Sequence, residues 1–330
     1  MKRLTITSIL ACIVALTFAQ GPNNTGNYYQ AANGKKGEAL KTALFNIIKA
    51  HTDIGYSGLK AAYKQTDVRA DGYIRDWYSS ATQYEPGSNF ASSYKEEGDG
   101  YNREHSMPQS WFDKASPMRA DIVHVFPTDA KINGNRGDNP FGEVNTNAQY
   151  SQSTGGYSKW GSAKPGLGFS GTVFEPNDEI KGDIARIYFY MTTCYQDKIL
   201  TWTGGSTSAD VIGGTTYKPL KEWVMTMMLR WSEQDPVDEV ERARNAAVYT
   251  VQKNRNPFVD YPGLEQYVWG TLTDQSFSYD HYANVTRIDG VYTEPEPHNG
   301  AIYNLKGQRV DGQLLRPGLY VREGRKFLVR

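Results

Sequence analysis

The stretch YNREHSMPQSWF, residues 101–112, decides how the rest of the chain is interpreted, because it places Glu104 beside His105. Residues 101–106 predict a short β-strand that ends at Pro108, since proline has no N–H to donate to a sheet. Successive side chains of a regular strand point to opposite faces. We therefore expect a frayed strand end at which the backbone bends, so that both side chains serve one site.

A second segment, ADIVHVFPTDAKINGNRGDNP (residues 120–140), predicts the elements that follow. The alternating, β-branched residues 122–126 indicate a second strand. Thr128 is a suitable N-cap for a short helix, which Gly134 and Gly137 would end early. The predicted order is strand, connecting loop, strand and short helix.

The predicted helix brings further polar groups to the same segment. Positions 129, 133 and 136 share one helix face, so Asp129, Asn133 and Arg136 should point in one direction. Phosphodiester hydrolysis needs a base with a near-neutral pKa, such as His105, and a cation at the phosphate. Mg²⁺ accepts a carboxylate and an amide as ligands, such as Glu104 and Asn133, and an arginine binds phosphate bidentately.

Other interpretations of these residues stay open on spacing alone. Glu-His pairs occur by chance, and the asparagines of the NGN stretch are typical turn formers. A zinc site fits less well, because the chain has neither a His-Glu-x-x-His motif nor a cysteine pair. A serine hydrolase is disfavoured by the absence of a Gly-x-Ser-x-Gly elbow.

NREHSMPQSWF together with DIVHVFPTDAKINGNRGDNPFG resembles the endonuclease I family of secreted bacterial nucleases. GDIARIYFYM and ERARNAAVYTVQKNRNPFVDYP are similar to further signatures of that family, and the similarity runs in order over residues 37–270. The resemblance implies an α+β fold, in which a ββα-metal (His-Me finger) core is embedded in a mostly helical, loop-rich nuclease domain.

The resemblance also implies roles for individual residues. His105 would be the general base that activates water, and Glu104 and Asn133 would hold one Mg²⁺ that stabilises the scissile phosphate and the departing 3′ oxygen. Mn²⁺ and Ca²⁺ stay open as alternatives. Four further residues are implied with lesser roles: Arg103 and Arg136 as phosphate contacts, and His124 and Asp129 as supporting residues.

The implied substrate is DNA, with RNA possible, cut with little sequence preference because phosphate contacts carry no direct sequence information. The chain departs from strongly basic family members, since its 36 Lys and Arg balance 36 Asp and Glu. Two alternatives remain: an extracellular ribonuclease that ignores DNA, and a non-catalytic surface-binding protein or adhesin whose aromatic loops contact glycans.

Residues 1–19 predict a secretory signal peptide, with Lys2 and Arg3 before an apolar run. Its removal would leave a net charge of about −2. A lipoprotein cut at Cys12 is the alternative. Cys194 would then be the remaining cysteine, so no intramolecular disulfide could form, and its apolar context predicts a buried side chain. We expect a secreted or surface-located monomer without stable membrane insertion.

The rest of the chain is predicted to contain core helices and a separate tail. Helical spacing marks residues 40–48, DIARIYFYMTTCYQD, YKPLKEWVMTMMLRWSEQ and the segment that begins at Asp235-Pro236, whereas residues 145–180 predict a long loop. The predicted domains are a catalytic domain at 20–275, a linker at 276–298 and an antiparallel β module at 299–330. This module resembles the sorting domains of the type IX secretion route, which makes that machinery a predicted partner; an ordinary β appendage or a polysaccharide-binding module is the alternative.

Overall fold

The computed structural model describes residues 21–282, 302–304, 310, 318–322 and 325–329. The predicted signal peptide and residues 283–298 of the predicted linker lie outside these residues. Among the helices described, none has the length and apolar character needed to cross a bilayer.

Helices and short strands occur in separate groups along the described chain and the strands pair antiparallel, which fits the predicted α+β class. The helices are α1 (Gly37–Ile48), α2 (Gly55–Thr66), α3 (Ala130–Arg136), α4 (Lys181–Cys194), α5 (Ser208–Val211), α6 (Glu222–Gln234), α7 (Glu239–Gln252), α8 (Pro257–Asp260) and α9 (Leu264–Val268). The strands are β1 (Tyr101–His105), β2 (Val125–Asp129), β3 (Tyr150–Gln152), β4 (Lys159–Ser162), β5 (Thr172–Glu175), β6 (Ile302–Asn304), β7 (Gly318–Arg322) and β8 (Arg325–Val329).

The core is organised around α4, which is buried along its whole length. It packs against α6, α1 and α8. Its one arginine, Arg186, is neutralised inside the protein, because Nε donates to both carboxylate oxygens of Glu241 at 2.7 and 2.9 Å. Three helix predictions are confirmed here, for α1, α4 and α6. The helix predicted to begin at Asp235-Pro236 is also present as α7, but it begins later than predicted, with Asp238 as its N-cap.

The predicted strand, strand and helix are present in the predicted order. β1 and β2 form an antiparallel pair with Glu104 opposite Phe126 and His105 opposite Val125. Helix α3 follows β2 directly and packs on both strands. This small unit holds the polar residues of the opening stretch against the helical core.

Two details of this unit differ from the prediction. Residues 122–124 form a turn, because the Asp121 carboxylate accepts from the N–H of Val123 and its carbonyl accepts from Val125. The strand therefore begins at Val125 and continues through Asp129. The N-cap of α3 is Asp129, not Thr128, because the Asp129 side chain accepts from the N–H of Ile132 at 2.8 Å.

The prediction of a long loop at residues 145–180 is wrong, because this segment contains the antiparallel sheet β3–β4–β5. Its strands are only three or four residues long. The sheet is attached to the core through Phe174, which is buried and whose ring centroid lies 4.5 Å from that of Tyr78 and 6.2 Å from that of Phe141.

The described tail residues form a second three-stranded antiparallel sheet, in the order β6–β7–β8. Its role in sorting stays a prediction. The packed region of the main domain extends past residue 275, because Phe277 and Tyr279 are buried and the Phe277 ring lies 4.9 Å from that of Tyr261.

Asp76 ties the loop before β1 to the end of β2. Its buried carboxylate accepts five hydrogen bonds, from the N–H groups of Tyr78, Ser79 and Asp129 and the hydroxyls of Thr82 and Thr128. Asp76→Asn replaces an acceptor oxygen by a donor, so donors are left unpaired and the free energy of unfolding should fall by about 3 kcal/mol. Urea unfolding measures the loss.

Asp71→Asn is the matched control for this prediction. Asp71 is half exposed and pairs with Arg69 at the surface, so its replacement should leave the unfolding midpoint unchanged. An equal, small effect of both substitutions would contradict the role given to Asp76.

Candidate active site

An open cleft of about 370 Å³ lies at the end of β1. Four residues singled out from the sequence border it together: Arg103, Glu104, His105 and Asn133. Further walls come from α2 and the loop before β1, through the side chains of Tyr56, Phe90 and Tyr94, and from Pro108, Gln109 and Asp138.

Glu104 and His105 reach this cleft without the frayed strand end that we expected. The pairing continues through His105 and one step beyond, since Ser106 N–H donates to the His124 carbonyl at 3.1 Å. Both side chains border the cleft because it lies across the end of the strand. Opposite orientation on a strand is therefore compatible with one shared site.

The Glu104 carboxylate is fixed by two buried partners. Oε1 accepts from the hydroxyl of Tyr78 at 2.6 Å and from the guanidinium of Arg136. Burial raises the pKa of Glu104, and the Arg136 charge opposes that shift. Oε2 makes no hydrogen bond with the described residues and is not enclosed by them, so it faces the cleft with its lone pairs available.

The His105 ring is held in one orientation and one tautomer. Nε2 lies 3.1 Å from the Arg119 carbonyl, which can only accept, so Nε2 carries the hydrogen and Nδ1 has a free lone pair. The ring stacks on Tyr56, with centroids 6.1 Å apart and planes at 19°. Burial, followed by the electrostatic cost of protonating two adjacent imidazoles, His105 and His124, lowers the pKa of His105 well below its usual range. The imidazole is therefore neutral at neutral pH and can accept a proton.

The amide of Asn133 is oriented by two acceptors. Its Nδ2 donates to the side-chain oxygen of Asn102 at 2.7 Å and to the Arg103 carbonyl at 3.1 Å. Since both partners can only accept here, the amide nitrogen faces them and Oδ1 faces away. Oδ1 makes no hydrogen bond with the described residues, so it is available to a ligand in the cleft.

The Arg103 guanidinium lies between two aromatic rings. Its central carbon is 4.1 Å from the ring centroid of Tyr56 and 4.4 Å from that of Phe90. It makes no hydrogen bond or ion pair with another described residue, and its Nε is buried without a partner. A guanidinium held in this way, with its donors unused, is suited to bind an anionic group such as a phosphate.

Three predicted site residues, Arg136, Asp129 and His124, do not border the cleft. Arg136 is buried and donates to Glu104 and to the carbonyls of His105 and Ser106. It therefore positions Glu104 and the strand end, and the predicted phosphate contact is replaced by this internal role. Asp129 caps α3 and accepts from the Tyr84 hydroxyl at 2.6 Å. The prediction that the side chains at positions 129, 133 and 136 point in one direction is therefore wrong.

His124 lies behind His105, with ring centroids 5.7 Å apart. It is fully buried, and its Nε2 is 2.6 Å from the Met118 carbonyl. Burial lowers the pKa of His124, against the opposing charge of Asp121. A neutral His124 supports the inner side of the His105 ring and does not contact the cleft.

A second group of possible metal ligands lies in the interior, where atoms of His51, Asp121 and Cys194 are within 4.8 Å of one another. Both oxygens of Asp121 already accept hydrogen bonds, from Gln252 and from the hydroxyls of Tyr190 and Tyr195. Cys194 is buried, as predicted. The oxygen pair from Glu104 and Asn133, which opens to solvent, fits a hard divalent ion that keeps several waters better.

Sequence reasoning missed the residues that orient the site. Tyr78 and Arg119 lie 26 and 14 positions from their partners Glu104 and His105, and Tyr56 comes from α2. Arg119 contributes its backbone carbonyl, which any residue has. No local pattern marks these residues; only a long-range contact identifies them.

Comparison with known proteins adds an independent observation. A family model described as Endonuclease I matches residues 36–263. The chain is 33% identical over 258 residues to an extracellular ribonuclease of Bacillus amyloliquefaciens, covering 74% of this chain and 79% of that protein. A similar match of 33% over 259 residues, with the same coverage, is found with an extracellular ribonuclease of Bacillus subtilis (strain 168). An extracellular deoxyribonuclease of Aeromonas hydrophila is 25% identical over 149 residues, 45% of this chain and 52% of its own.

Proposed function

The chain belongs to the endonuclease I family, and on that premise we propose that it is a secreted, Mg²⁺-dependent endonuclease that hydrolyses DNA or RNA with little sequence preference. One observation carries the proposal. A single open cleft presents the free Glu104 Oε2, the free Asn133 Oδ1, the unprotonated Nδ1 of His105 and the unpaired guanidinium of Arg103.

The residues divide the work of phosphodiester hydrolysis as follows. His105 accepts the proton of the attacking water at Nδ1, while the Arg119 carbonyl holds Nε2–H and thereby stabilises the imidazolium that forms. Arg103 binds a non-bridging phosphate oxygen of the substrate. His124 holds the His105 ring from behind.

Glu104 and Asn133 would hold a divalent ion of the ββα-metal type. When bound, Mg²⁺ supplies positive charge at the scissile phosphate and the 3′ leaving oxygen. Tyr78 and Arg136 determine which carboxylate oxygen of Glu104 is left for that ligand role. Asn102 and the Arg103 carbonyl do the same for the amide of Asn133.

RNA is a substrate candidate of equal standing with DNA. The two relatives with the broadest matches reported above are named extracellular ribonucleases, whereas the Aeromonas relative is named a deoxyribonuclease. Backbone contacts at a metal and an arginine do not distinguish the sugars. The extracellular relatives also support secretion, to which the predicted signal peptide and sorting module would contribute.

Asn133→Ala should raise the Mg²⁺ concentration needed for half-maximal cleavage at least about tenfold, because it removes one of the two proposed ligand oxygens. Mg²⁺ titration of cleavage of single-stranded RNA and plasmid DNA measures the shift. Glu104→Gln should change the requirement in the same direction, since it removes the charge of the second ligand.

Asn135→Ala is the matched control, because Asn135 lies on the same helix two positions further and does not border the cleft. Its Mg²⁺ requirement should equal that of the wild type. An unchanged requirement in both Asn133→Ala and Glu104→Gln would refute the proposed ion site.

A further inference from the structure

We propose that Tyr94 forms a nucleobase-binding subsite beside the phosphate site, and that this subsite makes the enzyme prefer unpaired strands. The inference rests on the proposed function and adds to it the form of the substrate. It follows from the position of Tyr94, from the contacts that hold it and from what the neighbouring rings already bind.

Tyr94 is exposed, whereas most aromatic rings of the described residues are buried. Its relative exposure is 40%, and among the large apolar side chains that the described residues expose it is the one that borders the cleft. The loop that carries it is anchored on both sides. Ala91 N–H donates to the Tyr101 carbonyl at 2.8 Å, and the N–H groups of Lys95 and Glu96 donate to Asp99 at 2.6 and 2.9 Å.

The outer end of Tyr94 rests on helix α3 at Gly134. A Cβ atom at position 134 would come within 2.4 Å of the Tyr94 hydroxyl and 3.1 Å of its ring carbons. Glycine therefore permits this close approach. Tyr94 and Asn133 border the same cleft, so the ring and the proposed ion ligand open onto one space.

The two other six-membered aromatic rings that border the cleft, those of Tyr56 and Phe90, already contact cationic side chains. Tyr56 contacts the guanidinium groups of Arg103 and Arg119, each 4.1 Å from its centroid. Phe90 contacts Arg103 at 4.4 Å and the Lys60 amine at 5.3 Å. Tyr94 makes no ring or cation contact of this kind with the described residues, so its face is available to a flat partner.

A nucleobase of an unpaired strand fits this arrangement. Each phosphate in a polynucleotide is flanked by bases, so a strand held by Arg103 brings a base into the same cleft. Bases of single strands stack on exposed aromatic rings without regard to their identity, whereas the bases of a duplex are already stacked inside it. Positive charge beside an aromatic platform is typical of proteins that bind single strands.

Two assays on the full-length protein test the subsite. The first measures binding of fluorescein-labelled oligothymidylate and oligouridylate by anisotropy in EDTA, so that metal-dependent cleavage is suppressed. The second measures kcat/KM with Mg²⁺ on the same single strands and on a duplex. Tyr94→Ala should weaken single-strand binding and lower single-strand kcat/KM by roughly 10–100-fold, with a duplex change below about threefold.

Further variants separate stacking from structure. Tyr94→Phe keeps the ring and should restore single-strand cleavage. Tyr150→Ala removes an equally exposed tyrosine outside the cleft and should behave as the wild type. A single strand with an abasic position next to the cleaved bond should be insensitive to Tyr94→Ala.

The outcomes distinguish this subsite from the nuclease activity itself. If the wild type cleaves, and Tyr94→Ala loses activity equally on single strand and duplex or loses none, the subsite is overturned and the nuclease assignment stands. Tyr94-dependent binding of single strands without cleavage supports the subsite and overturns the nuclease. Neither binding nor cleavage by the wild type overturns both.

Discussion

His105→Ala should lower the rate of phosphodiester cleavage by about 10²–10⁴-fold, the usual contribution of a general base. The loss follows from geometry, because Nδ1 is the ring nitrogen left free when Nε2 donates to the Arg119 carbonyl. Folding should be retained, since the side chain makes one hydrogen bond and lies at the edge of the cleft. Single-turnover cleavage with saturating Mg²⁺ measures the effect.

Added imidazole should restore part of the activity of His105→Ala, because a small base can enter the space that the ring leaves. A purely structural role for the ring predicts no such rescue. His281→Ala is the control, since His281 is exposed and pairs only with Asp280; its rate should be unchanged. Wild-type rates in His105→Ala would show that another group takes the proton.

Arg136→Met should lower the free energy of unfolding by about 3–5 kcal/mol, because it leaves the buried carboxylate of Glu104 without its counter-charge. The guanidinium also donates to the carbonyls of His105 and Ser106, at 2.8 and 2.7 Å, so its loss frees the strand end as well. Urea unfolding and cleavage assays on the same preparation measure both consequences.

The double variant Glu104→Gln/Arg136→Met tests the cause of that loss. Removing both charges should recover part of the stability, while cleavage stays low because the proposed ligand carboxylate is gone. Arg242→Met is the matched control, since Arg242 pairs with Glu239 at the surface and its loss should change stability little. A double variant no more stable than Arg136→Met would contradict the charge argument.

The sequence was sufficient for features that depend on neighbouring residues. The apolar periodicity of α1, α4 and α6 predicts these helices. The elements around the cleft are predicted from the proline after β1, the β-branched residues of β2 and the glycine after α3, although the predicted N-cap of α3 was wrong. Glu104, His105 and Asn133 could be grouped because β1, β2 and α3 follow one another closely.

Features set by distant contacts could not be predicted in this way. Arg136 occupies a helix position that suggested exposure, yet Phe141 covers its guanidinium at 4.2 Å and Glu104 neutralises it. The Asp121 turn delays β2 because its side chain competes for the Val123 N–H. The strands β3–β5 lack a clear sequence pattern, since Ser151, Gly161 and Ser162 are held in place by pairing between strands.

The central claim is that the cleft around Glu104, His105 and Asn133 hydrolyses phosphodiester bonds with a divalent ion. The most direct measurement supplies the wild-type protein with plasmid DNA and single-stranded RNA in Mg²⁺, then in EDTA, then in Mg²⁺ restored to excess. We predict internal cleavage of at least one nucleic acid, its arrest by EDTA and its return with Mg²⁺. Intact DNA and RNA with Mg²⁺, Mn²⁺ and Ca²⁺ alike, or cleavage that persists in EDTA, would contradict the account.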